Sequence, residues 1–92
     1  MDEKDFELLE ALDETRNITH AADKLYMTQS ALSKRIKSME QELGVEILLR
    51  SRQGIRFTPA GEKVLERSRA ALRQMEQLRR ELDAMQGEAC GT

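Results

Sequence analysis

Residues 17–45, NITHAADKLYMTQSALSKRIKSMEQELGV, contain two helical patterns separated by a short break. In the first pattern, Ala21 and Ala22 present small side chains that let another helix approach closely. The second pattern carries an apolar face at steps of four, three and four residues, formed by Leu32, Ile36, Met39 and Leu43. Two such helices joined by a tight break predict a helix-turn-helix.

The ends of these helices are marked by capping residues. Asn17 or Thr19 can cap the first helix, and Thr28 can cap the second. Gly44 follows Leu43 at the place where a left-handed C-terminal cap is favoured. The second helix is therefore expected to span residues 28–43.

The chain before residue 17 predicts one more helix of the same domain. Phe6, Leu9 and Leu12 recur at three-residue intervals among acidic residues, so their face should belong to the core. Acidic residues at the start of this helix complement the helix dipole.

The segment after Gly44 has the pattern of a two-stranded wing. An apolar stretch leads into a polar bend at residues 50–54, and a short alternating strand runs to Phe57. Thr58 then stands as an N-cap before Pro59, which suits the first position of a new helix.

The helix that starts at Pro59 meets no strong breaker before about Gln86, a length of about 42 Å at 1.5 Å per residue. Positions 75, 78, 82 and 85 follow the spacing of a heptad seam. A lone solvated helix would leave these apolar residues without a partner, so we expect a homodimer. The predicted dimerisation residues are Leu65, Leu72, Met75, Leu78, Leu82 and Met85.

These patterns predict a mainly α fold: a winged helix-turn-helix with a small two-stranded wing, followed by a long C-terminal dimerisation helix. The winged domain should cover residues 1–58 and the linker helix residues 59–86. Residues 87–92 lack periodicity and are expected to form a flexible, frayed tail.

Charge is distributed unevenly along the 92 residues, whose net charge is -2. Residues 1–15 hold seven acids and one base, whereas residues 28–56 hold six bases and three acids. A locally basic face suits contact with phosphate, while an acidic face limits indiscriminate binding. Charges that merely solvate the surface are the alternative reading.

Composition argues against several other classes of protein. His20 is the single histidine and Cys90 the single cysteine, which leaves no catalytic pair, disulfide or metal cluster to assemble. We therefore expect no enzyme and no cofactor in this segment. The start of the chain lacks a secretory pattern and no apolar run suits a membrane span, so a cytoplasmic protein is expected.

The outer face of helix 28–43 carries side chains suited to DNA. Residues in the first turns of such a helix meet base edges in the major groove, and Gln, Ser and Lys can all bond to bases there. The predicted base readers are Gln29, Ser30, Ser33 and Lys34, and the predicted phosphate contacts are Thr28, Arg35 and Lys37. Thr28 could instead be a plain cap, and Lys37 a solvated lysine.

Three arginines surround the bend of the predicted wing. Arg52 lies in the bend and is the best candidate to enter a narrow minor groove. Arg50 could equally be structural, paired with a carboxylate of the first or last helix, and Arg56 completes the set.

The sequence resembles the LysR-type transcriptional regulators over roughly residues 5–75. The segments that carry the resemblance are 17–36, the stretch from Glu40 to Val45, Arg50, and Thr58-Pro59-Ala60-Gly61. It implies a winged helix-turn-helix dimer, joined by the linker helix, that binds interrupted inverted repeats of double-stranded DNA near promoters. It places the four base readers in the major groove and the wing at the minor groove.

The family also carries a larger C-terminal effector-binding domain, which is absent from this chain and would be the route by which a small-molecule effector acts. Because the chain stops just past the linker helix, we expect it to be a piece of a longer protein. Leu49, Met39 and Ser30 depart from common family residues. A protein-interaction module without specific DNA reading is the main alternative function, and another kind of winged-helix regulator is a further one.

Overall fold

The computed structural model describes residues 1–91, which form four helices and one hairpin. Their order is α1 Glu3–Thr15, α2 Ile18–Lys24, α3 Gln29–Leu43, β1 Leu48–Ser51, β2 Gly54–Phe57 and α4 Pro59–Gly91. Strands β1 and β2 pair antiparallel, with Leu48 opposite Phe57 and Ser51 opposite Gly54. The mainly α winged helix-turn-helix predicted from the sequence is confirmed.

Side-chain caps fix where the helices begin. The Thr28 side chain accepts a hydrogen bond from the backbone N–H of Ala31 at 3.0 Å and opens α3. Asn17, rather than Thr19, caps α2, because its Oδ1 accepts from the backbone N–H of His20 at 3.0 Å. Gly44 ends α3 in the left-handed conformation, with φ of 72°.

The core lies where α1, α3 and the wing meet the start of α4. Its fully buried large apolar side chains are Leu9, Leu12, Leu32, Met39 and Ile47. On α1 the buried face is centred on Leu8, Leu9 and Leu12, so Phe6 is only half-buried, contrary to the prediction that it faces the core. Three-residue spacing alone does not determine which residues lie at the centre of the buried face.

Helix α4 begins in the winged domain, and ion pairs connect it to α1 as far along as Arg79. Asp13 of α1 pairs with Arg69, and Glu3 pairs with Arg79 at 2.6 Å. The buried Ser68 hydroxyl donates to the backbone carbonyl of Val64 at 2.7 Å, so it needs no partner outside the helix.

Two predictions about α4 need correction. Leu65 was assigned to the dimer seam, but it is only 3% exposed because it packs into the core of its own protomer. The predicted tail is also too long: α4 continues through Gly87 to Gly91, since one glycine costs a helix only about 1 kcal/mol and does not end it. Thr92 lies outside the described residues.

The junction between the wing and α4 requires a glycine at position 61. A Cβ added to Gly61 would overlap the backbone carbonyl of Ile47, which cannot move without displacing the wing. The sequence pattern indicates the helix start at Thr58 and Pro59 but does not indicate why position 61 must be glycine.

We therefore predict that Gly61→Ala lowers the free energy of unfolding by about 1–3 kcal/mol, or more if the wing shifts. Gly87→Ala is the matched control, because nothing lies within 4 Å of its added Cβ and alanine favours a helix by about 1 kcal/mol. Urea denaturation of both variants measures the difference. Equal stability of the two variants would contradict the close packing at Gly61.

Candidate nucleic-acid interface

The predicted base readers share the outer face of α3. Gln29 and Ser33 are one turn apart, as are Ser30 and Lys34, whereas the buried Leu32 side chain points to the opposite side. Gln29, Ser30 and Lys34 are exposed and Ser33 is half-buried. The face inferred from helical spacing is thus the face that the fold leaves open.

Two hydrogen bonds connect this face to neighbouring elements. The Gln29 Nε2 donates to the Thr19 Oγ1 of α2 at 2.9 Å. The Arg50 guanidinium of the wing donates to the Ser33 Oγ at 2.9 Å. The sequence indicates Thr19 only as a possible cap, because residues ten positions apart give no local signal of contact.

A polar groove runs between α2, α3 and the wing. Its cavity volume is about 380 Å³, and its lining includes Asn17, Thr19, Gln29, Ser33, Arg50 and Arg52. The start of α2, the face of α3 and the wing turn therefore open onto one surface. That surface offers amide, hydroxyl and guanidinium groups, which are the groups that bond to bases and phosphates.

The wing arginines occupy the positions expected of them. Arg52 lies in the turn between β1 and β2, and Arg50, Arg52 and Arg56 are all exposed. Among the described residues, Arg50 makes no ion pair with a carboxylate, and its hydrogen-bonded partner is Ser33. Leu49, which departs from the family pattern, is an exposed apolar residue.

Arg35 has a structural partner that the sequence did not predict. Its Nε and one terminal nitrogen donate to the two carboxylate oxygens of Asp5 at 2.6 and 2.8 Å. Asp5 is 1% exposed and the Arg35 side chain is 45% exposed, so this bidentate pair joins α1 to α3 at the edge of the core. The phosphate contact assigned to Arg35 must therefore compete with this pair.

The environment of Asp5 lowers its pKa. Burial acts to raise that pKa, but the hydrogen bond from Arg35, the backbone N–H of Asp2 and the charge of the guanidinium together outweigh burial. The same guanidinium has a raised pKa because of the Asp5 hydrogen bond and charge. Both groups stay charged at neutral pH.

The remaining predicted contacts are compatible with more than one role. The Thr28 hydroxyl oxygen accepts the capping hydrogen bond, so Thr28 is a cap whatever else it binds. Lys37 and His20 are exposed. In the described part of the chain, no group of three or more His, Cys, Asp or Glu side chains is placed to hold a metal ion. No helix there combines the length and the apolar character that crossing a membrane requires.

Comparison with known proteins identifies the family. Residues 4–62 match the family model described as "Bacterial regulatory helix-turn-helix protein, lysR family". The chain belongs to the LysR family. It is thus a DNA-binding module of a transcription regulator.

Curated relatives match this LysR-family chain along nearly its whole length. It is 36% identical over 89 residues to an uncharacterized HTH-type transcriptional regulator, YkuM, of Bacillus subtilis, which covers 97% of this chain and 30% of that protein. It is 40% identical over 89 residues to a hydrogen peroxide-inducible genes activator of Dickeya chrysanthemi, covering 97% of this chain and 29% of the relative. The chain thus spans about a third of the length of these relatives.

Solved LysR-family structures share the fold. The DNA-binding domain of CbnR in complex with DNA superimposes with a TM-score of 0.85 at 29% identity, covering 92% of this chain and 98% of that chain. The BenM DNA-binding domain in complex with catB site 1 DNA gives 0.85 at 28% identity, covering 92% and 96%. The arrangement of helices and wing is therefore that of domains solved on DNA.

We predict that the Asp5–Arg35 pair contributes to the free energy of unfolding of this LysR-family chain. Arg35→Met leaves the buried Asp5 carboxylate without its cation and should lower the free energy of unfolding at pH 7 by about 1–3 kcal/mol. Lys37→Met is the control, because it removes an exposed cation of the same helix. Equilibrium urea unfolding compares the two variants.

The same pair sets an acid dependence. Because the folded pKa of Asp5 lies below its unfolded value of about 3.9, the stabilisation is present above that pH and is lost as pH falls through the folded pKa. The Arg35→Met variant should lose less stability than the parent protein between about pH 5 and pH 2. An unchanged acid profile would show that the pair does not contribute.

Proposed function

We propose that the chain binds an interrupted inverted repeat of double-stranded DNA as a homodimer, with α3 in the major groove and the wing at the minor groove. The observation that carries this proposal is the shared polar surface of α3 and the wing, on which Gln29, Ser33 and Arg52 are brought together. A helix that carries polar side chains suits the major groove, and a cationic turn beside it suits the adjacent minor groove of the same duplex.

Base reading is assigned to Gln29, Ser30, Ser33 and Lys34, whose outer face on α3 is free of apolar packing. Lys37 and the amide nitrogens at the start of α3, near Thr28, support a phosphate contact. Arg35 is left with a minor role at the flank because two of its nitrogens bond Asp5.

In the wing, Arg52 is assigned to the minor groove because it is exposed in the turn between β1 and β2. Arg56, on β2 opposite Leu49, supports phosphate contact beside it. Arg50 lies between the wing and α3, where it already bonds Ser33. The three arginines therefore have different tasks although each adds one positive charge.

Dimerisation is supported by the apolar residues of the second half of α4. Leu78, Leu82 and Met85 are 52%, 48% and 64% exposed in the single chain. They lie on one side of the helix at heptad spacing, with the half-buried Leu72 and Met75 continuing the row toward the body. Pairing two such helices would bury this row and place two α3 helices in a two-fold arrangement.

A two-fold dimer matches an inverted repeat because each protomer meets the same half-site. Half-sites should be about one helical turn or a multiple of it apart. One relative is named as an activator of hydrogen peroxide-inducible genes, which supports a role in transcription regulation within a longer protein. We place this role in the cytoplasm and assign no catalysis to the chain.

In vitro selection from a random duplex pool tests the DNA proposal. The parent chain should enrich an inverted repeat, and the Ser33→Ala, Lys34→Ala double variant should lose that enrichment while keeping its oligomeric state. Affinity should fall with salt at a slope of about 0.9 for each phosphate neutralised. If DNA binding by the parent chain depended on salt but not on sequence, the proposal would be wrong and the protein-interaction alternative would be favoured.

The dimer prediction is tested by placing charges on the row. Leu78→Glu combined with Leu82→Glu should convert the chain to a monomer in sedimentation velocity and weaken binding to the full repeat by at least tenfold, because the second half-site is no longer tethered. Gln77→Glu combined with Glu81→Gln changes exposed neighbours on the same helix at constant charge and should leave the dimer intact. A monomeric parent chain at high concentration would rule out the dimer.

A further inference from the structure

The two base-reading side chains that face the polar groove are each held by a residue outside α3. Thr19, from α2, contacts the Gln29 amide, and Arg50, from the wing, contacts the Ser33 hydroxyl, both at 2.9 Å. Gln29 and Ser33 are one turn apart, so the two contacts hold one continuous strip of α3 from both sides. Exposed Gln and Ser side chains without such contacts sample several rotamers.

The contact from Thr19 fixes which groups Gln29 offers. The Gln29 Nε2 has two hydrogens, and one of them is donated to the Thr19 Oγ1. The other N–H and the Oε1 remain free in the plane of the amide. A donor beside an acceptor matches adenine in the major groove, where N7 accepts from the N–H and N6–H₂ donates to the Oε1.

The contact from Arg50 biases the Ser33 hydroxyl. Because the guanidinium donates to the Ser33 Oγ, the hydroxyl hydrogen turns away from the cation. Ser33 is then presented as a donor to the DNA. Its preferred base edges are acceptors, such as guanine N7 and O6 or thymine O4, rather than the cytosine N4 amino group.

We propose that Thr19 and Arg50 are specificity-determining positioning residues that set the bases read by Gln29 and Ser33. Thr19 commits Gln29 to adenine, and Arg50 commits Ser33 to an acceptor edge. The inference rests on the proposed function, since it concerns how the same DNA surface reads sequence. The side chains are ordered before DNA binds, so the correct base meets a site that is already arranged.

Thr19→Val and Thr19→Ser form the first pair of variants. Valine keeps the branched shape but removes the oxygen that accepts from Gln29, whereas serine keeps that oxygen. Binding is measured by competition between duplexes that carry each of the four bases, one position at a time, in the selected half-site. The position read by Gln29 is first identified as the one that loses its preference in Gln29→Ala.

At that position, Thr19→Val should reduce the preference for adenine by roughly threefold to tenfold. This is part of the discrimination between bases that one bidentate contact provides. Preferences at other positions should stay within about twofold, and Thr19→Ser should match the parent chain. If Thr19 only touched phosphate, Thr19→Val would weaken all duplexes equally. That uniform loss, or an unchanged adenine preference, would overturn the assignment of Thr19.

Arg50→Gln and Arg56→Gln form the second pair. Each removes one positive charge from the wing, but only Arg50 contacts α3. Both should lower affinity and reduce the salt slope by about 1 if each arginine neutralises one phosphate. Arg50→Gln alone should also relax the base preference at the position identified by Ser33→Ala. Equal base preferences in the two variants would overturn the assignment of Arg50.

The parent chain separates this inference from the proposed function. If the parent chain shows no base preference at any position, the proposed function fails and this inference falls with it. If the parent chain has a preference that both Thr19→Val and Arg50→Gln retain, the proposed function stands and this inference alone is wrong. Thermal denaturation of each variant confirms that the differences come from folded protein.

Discussion

The backbone of Ile47 is the point on which the geometry of the domain depends. Its N–H donates to the Glu40 carboxylate at 2.7 Å, and its carbonyl accepts from the Thr58 N–H at 2.9 Å. The same carbonyl faces Gly61, where only a hydrogen leaves enough room. One residue thus joins the end of α3, the base of the wing and the start of α4.

That junction fixes where the wing lies against α3, and with it the groups that we propose to face DNA. The wing begins at Leu48, directly after Ile47, so the angle of the hairpin against α3 is set by the Glu40 contact. Arg50, three residues after Ile47, donates a hydrogen bond to Ser33 across the groove. A hydrogen bond of 2.9 Å between side chains 17 residues apart is possible because the junction holds the two elements at a fixed distance. Rigid support of this kind is what lets short polar side chains discriminate bases.

Local features of the fold were predictable from sequence because their causes are local. Thr28 and Gly44 mark the ends of α3 through capping, and Pro59 marks the start of α4 through its fixed φ. The outer face of α3 followed from helical spacing. Long-range contacts were not predictable in this way: the Asp5–Arg35 pair joins residues 30 positions apart, and no periodicity indicates it. Leu65 was misassigned because a heptad pattern does not distinguish a partner helix from the chain's own core.

The ion pairs divide the positive charges of the domain into two groups. Arg35, Arg69 and Arg79 pair with acids of α1 and hold the helices together. The cations of the proposed DNA-binding surface make no ion pair among the described residues, and these are Lys34, Lys37, Arg50, Arg52 and Arg56.

This division resolves the apparent conflict between a net charge of -2 and binding to DNA. Buried carboxylates such as Asp5 have their charge offset by an arginine in contact with them, so they repel phosphate little at a distance. A cation already paired with a carboxylate would have to leave that partner to meet phosphate, at a cost in free energy. The unpaired cations of α3 and the wing carry no such cost. Local pairing, rather than the total charge, therefore decides which cations of the domain are available to phosphate.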